Sequence, residues 1–498
     1  MPGLLHLRTP ARVVAATMMA AVLAGLLAGC GHSAAPASRI ALEECRLPHF
    51  AQPAQCATVV VPEDRAKPEG RRIGIFVAVL AANTRTPQPD PLVILAGGPG
   101  QAASTLASFA QLLRDVRRDR DILLVDQRGT GRSAALSCRA FTPDDRAEFE
   151  LDPLPKAREC LAELAARGVD PAQYTTTAFV ADLEAVRQAF GYPRLNLWGG
   201  SYGTRVAQEY LRRHPDRVRS VVLDGVVPPS MKITLDVWPT REAALDAILA
   251  GCRSSAACNA GHGDVAAQLA ALERDLREPR RVTLTDPRTG APFTLDLGFD
   301  HVLGALQPLT YAPELASLIP AIVERAAHGD YEPLLAASLS FTSDLAEQMN
   351  AALHYSVTCA EDVPRIDAAA RGKALADSRA RSLAGRLISV CDVWPRGTMP
   401  ADFATPVHSS VPVLLLSGGL DPVTPPGYAE QVAESLPNSR RIVAAGLGHI
   451  VTSHACAPRL VARFVAEARP DALPEPCVAF LHSTQRPPFF TDALAARP

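Results

Sequence analysis

The feature that most constrains this chain is a short glycine-rich segment between an apolar run and a helical pattern. Residues 199–203 (GGSYG) follow the apolar run 195–198 and precede residues 204–211, whose pattern is typical of a helix. A strand that turns directly into a helix holds the residue at the turn in a strained backbone conformation, with its side chain exposed. Glycines must flank that residue, because a Cβ there would collide with the adjoining strand and helix. The pattern therefore predicts a nucleophilic serine at position 201, as in serine hydrolases.

Short apolar runs recur on both sides of this segment. They cover residues 57–61, 73–80, 91–96, 122–125, 195–198, 221–225, 413–417 and 441–443. Strands that are apolar on both faces and alternate with helical patterns are typical of a parallel sheet covered by helices. We therefore expect an α/β protein with a mostly parallel sheet, in which run 73–80 is antiparallel.

The strand–helix alternation stops for about 180 residues, too many for a structureless loop inside a compact domain. Helical periodicity replaces it, for example over residues 245–249, 265–276, 315–327 and 368–387. We expect an inserted, mostly helical cap after the sixth strand of the sheet. The predicted organisation is a signal peptide (1–29), the first part of the sheet domain (30–227), the cap (228–408) and the C-terminal part of the sheet domain (409–498).

The N-terminal thirty residues are typical of an export signal. Arg8 and Arg12 precede the apolar stretch 13–29, which ends on small residues. Residues 27–30 (LAGC) resemble a bacterial lipobox, and this resemblance implies cleavage before Cys30 and lipidation of its thiol. Two or more acyl chains would hold the protein stably on a membrane. Because Gly31 rather than Asp follows, the resemblance favours the outer membrane; an uncleaved anchor and an ordinary secreted protein remain alternatives.

Net charge and cysteine content limit which binding partners, covalent bridges and metal sites we expect. The formal net charge of −2 gives no electrostatic reason to expect nucleic acid. Without Cys30, an even number of cysteines remains, and in an exported chain this suggests disulfides. Sequence neighbours give the set Cys45–Cys56, Cys138–Cys160, Cys252–Cys258, Cys359–Cys391 and Cys456–Cys477. No C-x-x-C pair occurs, so we expect no metal, and no cofactor is indicated. The oligomeric state stays open.

Two downstream loops carry the partners that a nucleophilic serine needs. A serine hydroxyl is weak until a base takes its proton, and an acid must orient that base. Asp421 follows the apolar run 413–417, and His449 lies in a glycine-rich loop after the next run. The chain order serine, acid, histidine is that of one hydrolase class. We therefore predict the triad Ser201, Asp421 and His449, with His454 as a rival base.

An acyl-transfer site also needs donors aimed at the developing oxyanion. One is expected from the backbone N–H of Tyr202, directly after the nucleophile. The other is expected from residues 97–100 (GGPG), which follow the run 91–96, and we choose the N–H of Gly98. The alternative is that these residues form only a tight turn.

Three motifs together resemble one family. Residues 97–100 (GGPG), 126–133 (DQRGTGRS) and 199–203 (GGSYG) are similar to those of the prolyl aminopeptidase and tripeptidyl aminopeptidase family of α/β-hydrolases. The resemblance implies the α/β-hydrolase fold and an exopeptidase acting through an acyl-enzyme on peptides with a free N-terminus. It also implies that Asp126 and Arg128 brace the loop beside the oxyanion site. Ala96 stands where the prolyl enzymes usually carry His, which argues against a strict preference for proline.

An aminopeptidase must also hold the substrate ammonium, which calls for carboxylates. Residues 359–364 (CAEDVP) resemble a segment of the tripeptidyl-type relatives, so Glu361 and Asp362 are the candidates. A carboxylesterase or acyl hydrolase on the same scaffold is the alternative, since fold does not fix the substrate. A catalytically inactive binding lipoprotein is a third hypothesis, and the intact triad argues against it.

Overall fold

The structure is a computed structural model that describes residues 40–141, 152–287 and 289–491. The predicted signal peptide (1–29) and Cys30 lie outside the described residues. None of the helices in the described ranges combines the length and the apolar character needed to cross a membrane.

The main sheet is mixed and has nine strands. In chain order the strands of the described residues are β1 (Glu43–Cys45), β2 (Ala54–Pro62), β3 (Arg72–Leu80), β4 (Leu92–Leu95), β5 (Ile122–Val125), β6 (Leu195–Gly200), β7 (Val218–Asp224), β8 (Arg280–Thr285), β9 (Pro292–Leu297), β10 (Val413–Gly418) and β11 (Ser439–Ala444). Their order across the sheet is β1-β2-β3-β5-β4-β6-β7-β10-β11. Strands β1, β2, β3 and β5 are joined by antiparallel pairings at one edge of this order, and the pairings from β5 through β4, β6, β7 and β10 to β11 are all parallel. The predicted α/β class and the antiparallel third strand are confirmed.

The sheet is buried on both faces, as its continuous apolar runs predicted. Along β4, Val93 and Leu95 belong to one hydrophobic cluster, while Leu92 and Ile94 belong to another on the opposite face. Successive side chains of a strand alternate between faces, so apolar residues at every position require cover on both sides. Helices supply this cover. The carboxyl ends of the parallel strands meet at one edge, where α/β proteins place their sites.

The helices fall into two groups, those flanking the sheet and those between β7 and β10. In chain order they are α1 (Ala107–Leu112), α2 (Leu154–Ala166), α3 (Thr176–Phe190), α4 (Tyr202–Arg213), α5 (Ile233–Ser254), α6 (Ala256–His262), α7 (Val265–Asp275), α8 (Phe299–Leu309), α9 (Pro313–Ala316), α10 (Ile319–Ala327), α11 (Glu332–Gln348), α12 (Ala351–Glu361), α13 (Ala368–Leu375), α14 (Arg381–Ser389), α15 (Pro426–Ala433), α16 (Ala457–Glu467) and α17 (Glu475–His482). Short 3₁₀ turns span Ala103–Leu106, Val116–Arg118, Arg139–Phe141, Pro171–Gln173, Pro215–Arg217, Val363–Arg365, Val390–Asp392 and Pro470–Ala472.

The segment between β7 and β10, called the cap below, is mostly helical and contributes most of one hydrophobic cluster, which includes Leu245, Leu272 and Leu303. It differs from the expectation in three ways. Strand β1 was missed, so the segment follows the seventh strand rather than the sixth. Strands β8 and β9 form an antiparallel hairpin that was not anticipated. The predicted helices 315–327 and 368–387 are each divided in two, the first at Pro320, which begins a helix more readily than it continues one. The boundaries at 228 and 408 stay a prediction.

Five disulfides join the ten cysteines of the described residues. The bonded pairs are Cys45–Cys56, Cys138–Cys160, Cys252–Cys258, Cys359–Cys391 and Cys456–Cys477. They are the five neighbour pairs that the sequence suggested. Each bridge of this kind typically stabilises a fold by about 2–4 kcal/mol.

Candidate active site

Ser201 occupies the sharp turn between β6 and α4. Its backbone has φ 56° and ψ −126°, a conformation that costs free energy and is typical of functional sites. Both flanking glycines are sterically required: a Cβ on Gly199 would lie 2.4 Å from the Gly203 carbonyl oxygen, and one on Gly203 would lie 2.1 Å from that of Leu95. The Ser201 N–H donates to the Asp224 carbonyl at 2.9 Å, which fixes the turn against β7.

The predicted acid and base are in contact. Nδ1 of His449 lies 2.8 Å from Oδ2 of Asp421, whose side chain is fully buried. The other oxygen, Oδ1, accepts the backbone N–H groups of Val423 at 2.9 Å and Thr424 at 2.8 Å. Burial opposes ionisation, but the His449 imidazole and the hydrogen bonds prevail, and the pKa of Asp421 falls below its ordinary value. An ionised carboxylate that accepts Nδ1–H leaves Nε2 of the imidazole free to act as a base.

The end of β7 contacts both the serine turn and the histidine loop. The Asp224 carboxylate accepts the N–H groups of Val451 at 2.8 Å and Thr452 at 2.7 Å, two and three residues after His449. A Cβ on the next residue, Gly225, would lie 3.0 Å from Cε1 of the His449 ring. Asp224 therefore positions the loop that carries His449. Sequence reasoning missed this role, although the Asp-Gly pair after an apolar run was visible.

The cap also contacts His449, through Tyr311. The N–H of His449 donates to the Tyr311 carbonyl at 2.9 Å, and the two rings meet edge to face with centroids 5.3 Å apart. This approach needs glycine at position 448, where a Cβ would lie 2.2 Å from the Tyr311 carbonyl oxygen. The rival base His454 instead forms part of the turn before α16, where its N–H donates to Val451.

The predicted oxyanion loop lies beside the nucleophile. A Cβ built on Gly97 would be 3.2 Å from Cβ of Ser201. Gly98 and Gly100 have φ of 107° and 121°, which side chains rarely allow, and the Gly98–Pro99 peptide is cis. The loop therefore depends on glycine for its shape.

Residues 348–354 of the cap contact this loop through hydrogen bonds and close packing. The Asn350 N–H donates to the Gly100 carbonyl at 2.9 Å, and Nδ1 of His354 lies 3.3 Å from the Pro99 carbonyl oxygen. Cε of Met349 would be only 2.5 Å from a Cβ on Gly98. The loop that is predicted to offer one oxyanion donor therefore lies between Ser201 and the cap. The sequence contained no signal for these contacts.

The side chain of Tyr202 connects the elbow to the predicted carboxylate Glu361. Its hydroxyl accepts a hydrogen bond from Nε2 of Gln127 at 3.1 Å and lies 2.6 Å from Oγ1 of Thr176. The Thr176 N–H and hydroxyl donate to the two oxygens of Glu361 at 2.7 and 2.9 Å. Glu361 is 1% exposed. Burial raises its pKa to about 7, against the smaller opposing effect of Arg205.

Asp362 is also fully buried and paired within the protein. Its carboxylate contacts Nη1 of Arg205 at 2.9 Å, Nη2 of Arg365 at 3.2 Å and the N–H of Ile233 at 3.1 Å. The oxygens of Glu361 and Asp362 therefore have protein partners, and neither side chain is open to solvent. The assignment of either carboxylate to a substrate ammonium stays a prediction.

A pH-dependent stability follows from Glu361. Its pKa rises from 4.5 to about 7 on folding, so the stabilisation is complete below about pH 4.5 and is lost as the pH rises through about 7. From pH 5 to pH 8 the free energy of unfolding of the wild type should fall by about 2 kcal/mol more than that of Glu361→Gln. Urea unfolding at the two pH values measures this, with the exposed Glu69→Gln as the matched control. Equal pH dependence in wild type and Glu361→Gln would contradict it.

The DQRGTGRS motif braces the loops around the site. Asp126 accepts hydrogen bonds from the N–H and the hydroxyl of Ser104 at 2.8 and 3.0 Å. The guanidinium of Arg128 is fully buried and binds Asp182 through two nitrogens, at 2.6 and 2.7 Å. These contacts join the end of β5 to α3 and to the turn after β4. Both side chains therefore stabilise the arrangement of these elements.

A cavity of about 350 Å³ lies between α5 of the cap and the loop that carries Asp421. Its walls are mostly small and apolar and include Thr240, Ala243, Ala247, Thr310, Pro313 and Gly419. It offers room for an apolar group next to the acid loop. Within the described ranges, no cluster of three or more His, Cys, Asp or Glu side chains could hold a metal ion.

Comparison with known proteins agrees with this architecture. Residues 90–452 match the family described as the alpha/beta hydrolase fold. Serine protease Hip1 of Mycobacterium tuberculosis is 27% identical over 424 residues, and the match covers 78% of this chain and 80% of that protein. Tripeptidyl aminopeptidase of Streptomyces coelicolor is 33% identical over 226 residues, and the match covers 41% of this chain and 41% of that protein. The crystal structure of proline iminopeptidase from Mycobacterium smegmatis shares 18% identity with a TM-score of 0.41, covering 83% of this chain and 98% of that one. With most of its length matched and a serine elbow at the edge of its parallel sheet, the chain belongs to the α/β-hydrolase family.

Proposed function

We propose that this protein is a serine peptidase that removes residues or short peptides from free N-termini. The observation that carries the proposal is the buried Asp421–His449 pair, at 2.8 Å, in the loops that adjoin the Ser201 turn. Relatives named as a serine protease and a tripeptidyl aminopeptidase support the peptidase class.

The proposed reaction uses each of these groups in turn. Nε2 of His449 takes the proton from Oγ of Ser201 as Oγ attacks the peptide carbonyl carbon. The oxyanion that forms accepts hydrogen bonds from the N–H groups of Gly98 and Tyr202. His449 then gives the proton to the departing amine nitrogen, and an acyl-enzyme remains. Water attacks the acyl-enzyme, its proton passes through His449 back to Ser201, and the peptide acid leaves.

The cap supports an exopeptidase rather than an enzyme that cuts long chains internally. Residues 348–354 enclose the oxyanion loop, and Tyr311 contacts the base. Because cap residues lie near Ser201 on both of these sides, they limit the length of substrate that can extend past the cleaved bond. This arrangement favours short N-terminal segments.

The test is a comparison of free and N-acetylated peptides of the same sequence, with the released fragments identified by mass. We expect turnover of the free peptides to exceed that of the acetylated ones by about tenfold or more, because an ammonium group adds charge-assisted hydrogen bonds. Ser201→Ala should abolish both activities. Equal turnover would contradict exopeptidase action, and rapid hydrolysis of nitrophenyl esters without any peptide cleavage would favour an acyl hydrolase.

We also propose that the protein is exported and anchored to the envelope by lipid on Cys30, with the outer membrane as its site. The signal-like residues 1–29 and the LAGC segment support this. Five disulfides are further support, since such bonds persist in oxidising compartments. Metabolic labelling with an alkyne fatty acid should mark the wild type and fail in Cys30→Ser; labelling that survives the substitution would refute the anchor.

A further inference from the structure

One arginine of the cap is held in a fixed orientation close to the site. Arg241 lies on α5, and its Nη2 donates to the hydroxyl of Tyr311 at 2.7 Å. Its guanidinium carbon lies 5.4 Å from the ring centroid of Trp238 and 5.7 Å from that of Tyr311. Contacts with aromatic faces and a hydrogen bond at one end restrict the rotation of the side chain. The guanidinium is therefore pre-organised before any ligand arrives.

This guanidinium has no carboxylate partner among the described residues. Its Nε is buried without a hydrogen-bond partner, and its Nη1 makes no hydrogen bond within the described chain. The helix offers no acid one turn away, since positions 237, 238, 244 and 245 are apolar. Three other cap arginines are paired with carboxylates: Arg365 with Asp362, Arg379 with Asp246 and Arg386 with Asp300. Desolvating a cation without a counter-charge is costly, so an unpaired one calls for a reason.

The position of Arg241 connects it to both halves of the proposed catalytic machinery. Tyr311, which it holds, contacts the base His449 through its carbonyl and its ring. On the other side, His354 contacts the Pro99 carbonyl of the oxyanion loop. Burial lowers the pKa of His354, and the nearby positive charge of Arg241 lowers it further. The arginine thus lies between the histidine loop and the oxyanion loop, on the cap side of the cleft.

We propose that Arg241 is a carboxylate-binding residue of the substrate cleft, so that the enzyme prefers substrates with an anionic group close to the bond that is cleaved. The proposal rests on the proposed function for its choice of peptides. The carboxylate can come from an acidic side chain or from the C-terminus of a short peptide. Either carboxylate would accept charge-assisted hydrogen bonds from Nη1 of Arg241 and would supply the negative charge that the described residues do not provide. Tyr311 is the positioning residue that keeps the guanidinium in place.

Matched substrate pairs test the charge preference. One series compares Glu with Gln at each position around the cleaved bond, and a second compares a free C-terminal carboxylate with its amide. We expect the wild type to show a kcat/KM ratio of acid to neutral of about tenfold or more in one series. This ratio should fall to about one in Arg241→Met and to an intermediate value in Arg241→Lys and in Tyr311→Phe. The exposed cap variant Arg274→Met is the control and should keep the wild-type ratio.

The substrate series in which the acid-to-neutral ratio exceeds one shows whether the carboxylate is a side chain or the C-terminus. A ratio that is equal in wild type and Arg241→Met would overturn the proposal, as would a wild type that prefers the neutral member throughout. If Arg241→Met proves inactive or unfolded, Tyr311→Phe and Arg241→Lys decide, because a purely structural role would leave their ratios at the wild-type value. Failure of the peptidase assignment is distinguishable: peptides would not be cleaved, and 4-nitrophenyl hemisuccinate against 4-nitrophenyl butyrate would measure the same ratio on esters.

Discussion

Replacement of His449 by glutamine is expected to lower kcat by on the order of 10⁶-fold, since loss of the base is about as severe as loss of the whole triad. Glutamine can still donate to Oδ2 of Asp421, which His449 contacts at 2.8 Å. It cannot accept a proton from Ser201 at neutral pH, so the nucleophile stays a weak alcohol. Steady-state turnover of the best free peptide measures the loss, and near-unchanged KM would place the effect on the chemical step.

His454→Gln is the matched control for this experiment. His454 belongs to the turn before α16, and its backbone rather than its ring makes the contacts that shape the turn. We expect its substitution to leave kcat within about threefold, as is usual for a substitution away from the chemistry. Loss of activity in His454→Gln with retention in His449→Gln would reassign the base.

Replacement of Asp421 by asparagine is expected to lower kcat by about 10⁴-fold through the imidazole tautomer. Oδ1 of Asp421 accepts two backbone N–H groups, from Val423 and Thr424. The asparagine must keep its carbonyl oxygen at that position, so its NH₂ group faces Nδ1 of His449. The imidazole then accepts at Nδ1 and carries its proton on Nε2, where it cannot take the proton of Ser201.

Asp224→Asn provides the contrast, because Asp224 is the other buried acid that positions the histidine loop. Its oxygens accept the N–H groups of Val451 and Thr452 and do not face Nδ1. A smaller loss of kcat is expected in this variant, together with a lower melting temperature. If Asp224→Asn lost about 10⁴-fold while Asp421→Asn stayed within tenfold, Asp224 would be the acid.

Local patterns were sufficient to predict most strands of the sheet, the sharp turn at Ser201 and the two loops in which Asp421 and His449 lie in contact. Ser201 could be predicted because glycines surround it. Gly199 is required by a contact with the start of α4, which is close in sequence, whereas Gly203 is required by Leu95 of the distant strand β4. Asp421 and His449 could be predicted because each follows an apolar strand run, and parallel strands end at one edge.

Contacts between the cap and the sheet domain could not be predicted in the same way. The contacts that Met349, Asn350 and His354 make with the predicted oxyanion loop join residues some 250 positions apart, and no local sequence pattern marks them. The burial of Glu361 is likewise a property of packing, since an acidic pair in a sequence is more often exposed. The hairpin β8–β9 has short strands with mixed exposure, so its alternation was obscured by the helical patterns around it.

Covalent labelling with a fluorophosphonate, followed by intact mass measurement and peptide mapping, tests whether Ser201 is the nucleophile. We expect one adduct per chain on Ser201, no adduct in Ser201→Ala, and strongly slowed labelling in His449→Gln. An adduct on another residue with Ser201 unmodified, or labelling of Ser201→Ala at the wild-type rate, would contradict this role of Ser201.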